Sequence, residues 1–221
     1  GIVYGLYEEP RVLAVGAGGG MKVLAAVTQG ARQVEALENN TSVAGLMTGS
    51  LADFSGDLYR RRGVHLRIDG ARAFVNRTTN RHDIVLVPAQ RSLFASAAGT
   101  SAQDADYLLT REALDDFFSV LAPGGVLAME TWLNLPPRHS ARLFAAAAEM
   151  LAGRGLEARD RMVALRSLRT GLLLVFRDRV TDAQLEHVAR FCRERSFDRV
   201  YHRGIGAGDV NRFNRVEGAQ H

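Results

Sequence analysis

The apolar run Val12-Leu-Ala-Val15 leads straight into Gly16-Ala-Gly-Gly-Gly20, and a second apolar run, Val34 to Leu37, ends on Glu38. Strand, glycine-rich turn, helix, strand and acid, in that order, make up the first half of a doubly wound α/β sheet built around a nucleotide-type ligand. Glycine allows the sharp backbone turn and lets a ligand approach the main chain closely. An acid at the end of the second strand is placed to accept both hydroxyls of a ribose.

The rest of the chain continues the alternation. Strands are predicted at 11–15, 33–37, 64–68, 83–87 and 125–130, and helices at about 20–29, 41–51, 70–77 and 106–121. Such βαβ units imply a parallel sheet with helices on both faces. The run Ile84-Val-Leu-Val87 is apolar throughout, as a strand covered on both sides should be. After residue 138 the pattern changes. An alanine-rich helix (138–153) leads to strands at 158–166 and 171–177, joined by Ser167-Leu-Arg-Thr-Gly171, a connection short enough only for an antiparallel hairpin. A helix at 182–195 and a segment at 199–202 follow, and the glycine- and asparagine-bearing tail, 204–221, reads as irregular. The expected fold is therefore three-layer α/β/α, with a doubly wound, mostly parallel, seven-stranded sheet ending in an antiparallel hairpin. This is the class I methyltransferase, Rossmann-like arrangement, whereas an NAD-type domain would end in a sixth parallel strand.

At 221 residues and 47% hydrophobic content, the chain suits one such domain, spanning 1–203. Its formal charge is +4, yet Lys22 is the only lysine among 28 basic residues. The arginines are scattered rather than gathered into a stripe with aromatics, so no nucleic-acid partner is expected. A single cysteine, Cys192, excludes an internal disulfide and reads as a buried thiol. No apolar run approaches the roughly 18 residues of a membrane span, and no signal peptide precedes the first strand, which points to the cytoplasm. The chain opens on Gly1 and enters its first strand almost at once. It is therefore expected to be a domain of a longer protein, which leaves open a membrane anchor outside it.

Spacing within the glycine turn separates two ligand classes. A dinucleotide fingerprint, G-x-G-x-x-G, is met by Gly16 and Gly18 but fails at Met21. The spacing G-x-G-x-G is met by Gly16, Gly18 and Gly20, with Ala17 between the first two. It suits a ligand without pyrophosphate, such as S-adenosylmethionine. Glu38, with Asn39 beside it, is expected to bind the ribose; the competing reading is a surface acid capping the helix near Thr41. Asp69-Gly70 ends the third strand, where a carboxylate can accept from an adenine amino group. An ordinary helix N-cap is the alternative there.

The segments VLAVGAGGGMKVLAAVTQGARQVEALEN (Val12 to Asn39), GVHLRIDGARAFVNRTTNRHDIVLV (Gly63 to Val87) and YLLTREALDDFFSVLAPGGVL (Tyr107 to Leu127) resemble the spermidine/spermine synthase family. They are most similar to the spermidine synthase-like domains of large bacterial proteins, often fused to membrane segments, as is Ala95-Ser-Ala-Ala-Gly99. The resemblance covers about residues 11 to 177. It implies that Gly16, Gly18 and Gly20 wrap the aminopropyl or methionine tail, that Glu38 binds ribose, and that Asp69 with Gly70 binds adenine. It also implies a homodimer, although the upstream hairpin domain through which relatives associate does not occur in this sequence.

One departure limits the resemblance. Aminopropyltransferases of that family follow strand four with D-x-x-D, whose carboxylates hold the cationic polyamine and help deprotonate its amine. This chain has Pro88-Ala-Gln-Arg91 there. Proline accepts no proton, and an arginine about 4 Å from a second cation costs on the order of 4 kcal/mol at an effective dielectric near 20. Standard polyamine transfer is not expected. Replacement bases are sought in the following loop, where Tyr107, Asp104 and Gln90 are the candidates, with Asp106 and Ser92 beside them. Each has a plain structural alternative as a helix cap or packing residue. His65, His82, His139 and His187 show no metal-ligand spacing, and no metal is expected. The sequence thus predicts binding of S-adenosylmethionine, its decarboxylated form or methylthioadenosine. The acceptor is an unidentified small molecule; a catalytically silent sensor or scaffold is the alternative, and an NAD-dependent oxidoreductase a weaker one.

Overall fold

The computed structural model describes residues 1–88, 107–133 and 136–206. Five strands run parallel: β1 (Arg11–Val15), β2 (Gln33–Glu38), β3 (Val64–Ile68), β4 (His82–Val87) and β5 (Leu121–Trp132). Three more complete the sheet: β6 (Met162–Arg166), β7 (Thr170–Phe176) and β8 (Asp198–Tyr201). The order is β3-β2-β1-β4-β5-β7-β6-β8, and β7 lies antiparallel to both β5 and β6. The sheet has eight strands rather than seven, because Asp198 to Tyr201 pairs antiparallel with β6 and extends the edge.

The layers follow from alternation along the strands. Val12 and Ala14 of β1, Ile84 and Leu86 of β4, and Val126 and Ala128 of β5 face one side. There they meet α1 (Met21–Thr28), α2 (Thr41–Thr48) and the N-terminal segment with its buried Ile2, Val3 and Tyr4. The intervening Leu13, Val15, Val85, Val87, Leu127 and Met129 face α3 (Ala71–Val75) and α4 (Arg111–Ser119), together with α5 (Arg138–Gly153). A short turn of helix, α6 (Ala158–Arg161), precedes β6, and α7 (Asp182–Arg195) returns to the first face through Val188 and the buried Cys192. Burial raises the Cys192 thiol pKa, as suits a packing thiol.

Helix ends are set by local chemistry. The side chain of Asn40 accepts from Ser42 and Val43 and starts α2; that of Thr110 accepts from Ala113 and starts α4. Thr181 and Gln184 form a reciprocal capping box at α7. Several boundaries differ from the sequence reading: α2 ends at Thr48 rather than 51, and β5 runs over Leu121–Trp132 rather than 125–130. The helix expected at 106–121 is a 3-10 turn at Tyr107–Leu109 followed by α4, because Val120 caps the helix and Leu121 enters the sheet opposite His82. The strand expected from 158 begins at Met162, since Ala-Arg-Asp-Arg has no apolar face to bury and forms α6 instead. The tail beyond Gly206 lies outside the described residues.

The sheet also buries a hydrogen-bonded Glu–His contact that hydropathy alone does not reveal. Glu35 of β2 and His82 of β4 are each 2% exposed, and Nε2 of His82 lies 2.7 Å from Oε2 of Glu35. Asn80 donates to the other carboxylate oxygen at 3.1 Å. The hydrogen bond with His82, above all, holds the Glu35 carboxyl below its ordinary range against the opposing effect of burial, with Asn80 and the Arg67 charge assisting. Since the folded pKa lies below the unfolded one, this carboxylate's stabilisation is complete above the unfolded value. It is lost as pH falls through the folded value. Removing one partner strands the other, which costs about 3 kcal/mol for a buried pair. His82→Ala should lower the unfolding free energy measured by urea titration by that order, and Glu35→Gln should flatten the acid side of the stability profile.

Candidate functional site

The turn after β1 is shaped by three left-handed residues. Gly16, Gly18 and Gly20 have φ of +62°, +50° and +87°. These are the three positions of the G-x-G-x-G reading; Met21, where a dinucleotide loop needs glycine, is an exposed first residue of α1. At Gly20 the constraint is double, because a Cβ there would also lie 2.7 Å from Cδ2 of Leu58. Ala17 is buried and its N–H continues the β1–β2 ladder to the Leu37 carbonyl at 2.8 Å.

Glu38 closes this turn from the side. The residue is 7% exposed, and its carboxylate accepts from the Gly18 N–H at 2.7 Å and from the Asn40 N–H at 2.8 Å. The acid thus ties the glycine turn to the entry of α2. Asn40, not Glu38, caps that helix through its side chain, and Asn39 between them is exposed. Each carboxylate oxygen uses one protein hydrogen bond, so acceptor capacity remains for further donors. On the far side of the turn, the hydroxyl of Tyr59 donates to the Gly18 carbonyl at 2.9 Å. Burial first, and the Glu38 charge second, push the Tyr59 pKa up to about 12, so it stays a neutral donor at physiological pH.

Asp69 and Gly70 follow β3 on the same edge of the sheet, and the Asp69 N–H bonds the Glu38 carbonyl at 3.0 Å. The N-cap role is not taken: Gly70 holds that position without a side-chain bond. The carboxylate is instead paired with Arg77, whose guanidinium bonds Oδ2. Any further donor at this carboxylate would share it with Arg77, a partner the sequence alone did not assign.

Lys22, the single lysine, stands in the first turn of α1 and bonds Glu130 of β5 at 2.6 Å. The pair links the glycine turn to the carboxyl end of β5. Tyr4 lies close enough to Glu130 that, after burial, this charge helps to raise its pKa to about 12. Lys22 carried a signal in its uniqueness; Glu130 and Tyr59 carried none, since each sits alone in an otherwise apolar or polar stretch. Beside the turn, the ring of Pro88 stands 3.3 Å from where a Cβ of Gly16 would be. Proline's ring thus abuts the loop at the point where the family resemblance expects an acid. Gln90, Arg91, Ser92, Asp104 and Asp106 lie outside the described residues; Tyr107 opens the 3-10 turn before α4. Among the described residues no group of three His, Cys, Asp or Glu could hold a metal, and no helix is long and apolar enough to cross a membrane.

The arrangement is a doubly wound sheet whose β1, β2 and β3 ends carry the glycine turn and two acids. It is the class I S-adenosylmethionine-dependent methyltransferase fold. Solved structures share this fold. It is similar to the spermidine synthase from Thermotoga maritima, with a TM-score of 0.60 and 13% identity, over 91% of this chain and 65% of that one. It is also similar to human methyltransferase-like protein 13 in complex with SAH, with a TM-score of 0.57 and 14% identity, over 86% and 82% of the two chains. A ribosomal protein L11 methylase from Lactobacillus delbrueckii subsp. bulgaricus matches with a TM-score of 0.55 and 16% identity, over 81% and 75%. The chain thus spans just under two thirds of the spermidine synthase's length. No protein-family model matches it, and no curated protein matches it.

The glycine positions are separable by substitution. Gly20→Ala meets both a left-handed backbone and Leu58 and should cost about 2 kcal/mol. Gly19→Ala, with ordinary φ and open space at its Cβ, should change thermal stability by less than about 0.5 kcal/mol.

Proposed function

We propose that this domain binds a sulfonium nucleoside or its thioether relative: S-adenosylmethionine, decarboxylated S-adenosylmethionine or methylthioadenosine. We propose further that it transfers a methyl or related alkyl group to a small-molecule acceptor. The observation that carries the reading is the Glu38 carboxylate, held at the end of β2 by Gly18 and Asn40 with acceptor capacity left for the two ribose hydroxyls. Its position is fixed before any ligand arrives, so little reorganisation opposes binding. The three left-handed glycines keep side chains out of the space that the methionine or aminopropyl tail would cross, and Asp69 stands where an adenine amino group would be read. The neighbours fit this ligand class: one was solved with SAH and a spermidine synthase with the transition state analogue AdoDATO.

The sulfonium supplies an electrophilic carbon and leaves as a neutral thioether. Within this chain, catalysis then rests on positioning, by holding the acceptor in line with the carbon–sulfur bond. Pro88 offers no proton acceptor where a polyamine enzyme has its first acid. An acceptor already deprotonated in solution would need none; otherwise the base comes from the segment containing Gln90, Asp104 and Tyr107. That loss is also what favours the second reading, a catalytically silent nucleoside sensor or scaffold.

Calorimetry with the three nucleosides decides the binding claim. Glu38→Gln, which presents an amide N–H to one of the two backbone donors, should weaken binding roughly 10- to 100-fold, about 1.4–2.8 kcal/mol. No binding of any of the three by the wild-type chain would refute the proposal. If binding holds, production of S-adenosylhomocysteine or methylthioadenosine across an acceptor panel separates the enzyme from the sensor.

A further inference from the structure

The carboxyl edge of the sheet carries a second feature, far along the strand order from the glycine turn. Between the start of α5 and the β5, β7, β6 and β8 strands lies an open cavity of about 800 Å³. Its volume falls within the range of small-molecule sites, which are mostly apolar with a few polar groups fixing orientation. Leu133, Ala141, Leu168 and Leu172 line it, and Phe144 and Tyr201 meet edge to face at 5.0 Å and 82° to stiffen one wall.

Charge in this cavity is one-sided. Arg166 and Arg169 line it, and no aspartate or glutamate is among the described lining residues. The first turn of α5, which contributes Ser140 and Ala141 to the wall, also lacks an acid. Arg166 is partly engaged, since its Nε donates to the Ser167 carbonyl at 3.3 Å. Arg169 is exposed on a two-residue turn that is pinned by the Ser167 N–H to the Thr170 carbonyl at 2.8 Å and by the paired hydroxyls of the same residues at 2.7 Å. On that turn Leu168 is 73% exposed. An apolar side chain and a cation are thus presented together, on a rigid support, at an apolar cavity.

We infer that this cavity is a binding site for a small aliphatic carboxylate, with the alkyl chain against Leu133, Phe144 and Leu172 and the carboxylate at Arg169. Guanidinium geometry matches a carboxylate, and the apolar walls gain by burying a chain that water disfavours. The site does not depend on the nucleoside reading, because it shares no residue with the glycine turn, Glu38 or Asp69.

The test uses the full chain and three probes: dodecanoate below its micelle concentration, dodecyltrimethylammonium, and vesicles of phosphatidylglycerol. Dodecanoate should bind with a heat that the cationic probe of equal chain length does not reproduce. Arg169→Glu should weaken dodecanoate at least tenfold and favour the cation. Ala141→Trp, which fills the cavity from an exposed helix position, should abolish binding. Both variants should retain the wild-type melting temperature and nucleoside affinity, so loss of the carboxylate is not loss of the fold. Absence of dodecanoate binding overturns the inference, as does equal binding by both head groups or by either variant. Binding to vesicles without binding to monomeric dodecanoate would also overturn it, making the face a lipid-docking surface instead.

Discussion

A carboxylate taken out of water at the end of a parallel strand must be satisfied by protein donors, and Glu38 meets this demand with two main-chain N–H groups from different segments. One belongs to the glycine turn after β1, the other to the entry of α2. Because charge-assisted bonds of this kind are stronger than neutral ones, the acid fixes the turn relative to β2. Tyr59 repeats the constraint from the opposite side through the Gly18 carbonyl. The three positive-φ glycines supply the conformations this geometry needs, and Leu58 leaves no room for a side chain at Gly20. The same set of contacts that stabilises the turn thereby shapes the open space beside it.

The sheet divides its work by position. Ends of β1, β2 and β3 hold the glycine turn and acids; ends of β5, β6 and β7 hold the apolar cavity with its arginines. Lys22 and Glu130 bridge the middle, joining the first turn of α1 to β5. Out of contact with water, Glu35 bonds Nε2 of His82, with Asn80 and Arg67 around the carboxylate. That contact reaches across β1, which lies between β2 and β4, and carries a desolvation cost that an apolar pair would avoid. Its effect is structural, and it shares no residue with the glycine turn, Glu38 or Asp69.

Much of the fold was legible because the central strands β1, β4 and β5 are buried on both faces and carry long apolar runs, and because α5 and α7 carry helical periodicity. Both helices run over the residues that the sequence marks, 138–153 and 182–195. Boundaries failed where tertiary pairing overruled local pattern. Leu121 has helical neighbours but pairs with His82, and the edge strand β8, four residues with no alternation of its own, exists only because β6 offers it an unpaired edge. At the site, the glycine spacing was legible because left-handed backbone conformations select glycine. The partner of Asp69 was not, since Arg77 reaches it only after α3 has turned the chain back.

The sequence by itself determined the class of fold, the hairpin that separates it from a dinucleotide domain, and the glycines at 16, 18 and 20. These follow from local sterics and from the period of apolar residues, both written in nearest neighbours. Tertiary structure alone decided that Glu38 is locked to Gly18 and Asn40 rather than capping a helix, that Asp69 is shared with Arg77, and that an arginine-edged cavity opens beside α5. These contacts depend on how separate elements meet: Gly18 and Glu38 are 20 positions apart, and the cavity walls come from α5 and four strands, so only the packing of the sheet and its helices brings them within reach.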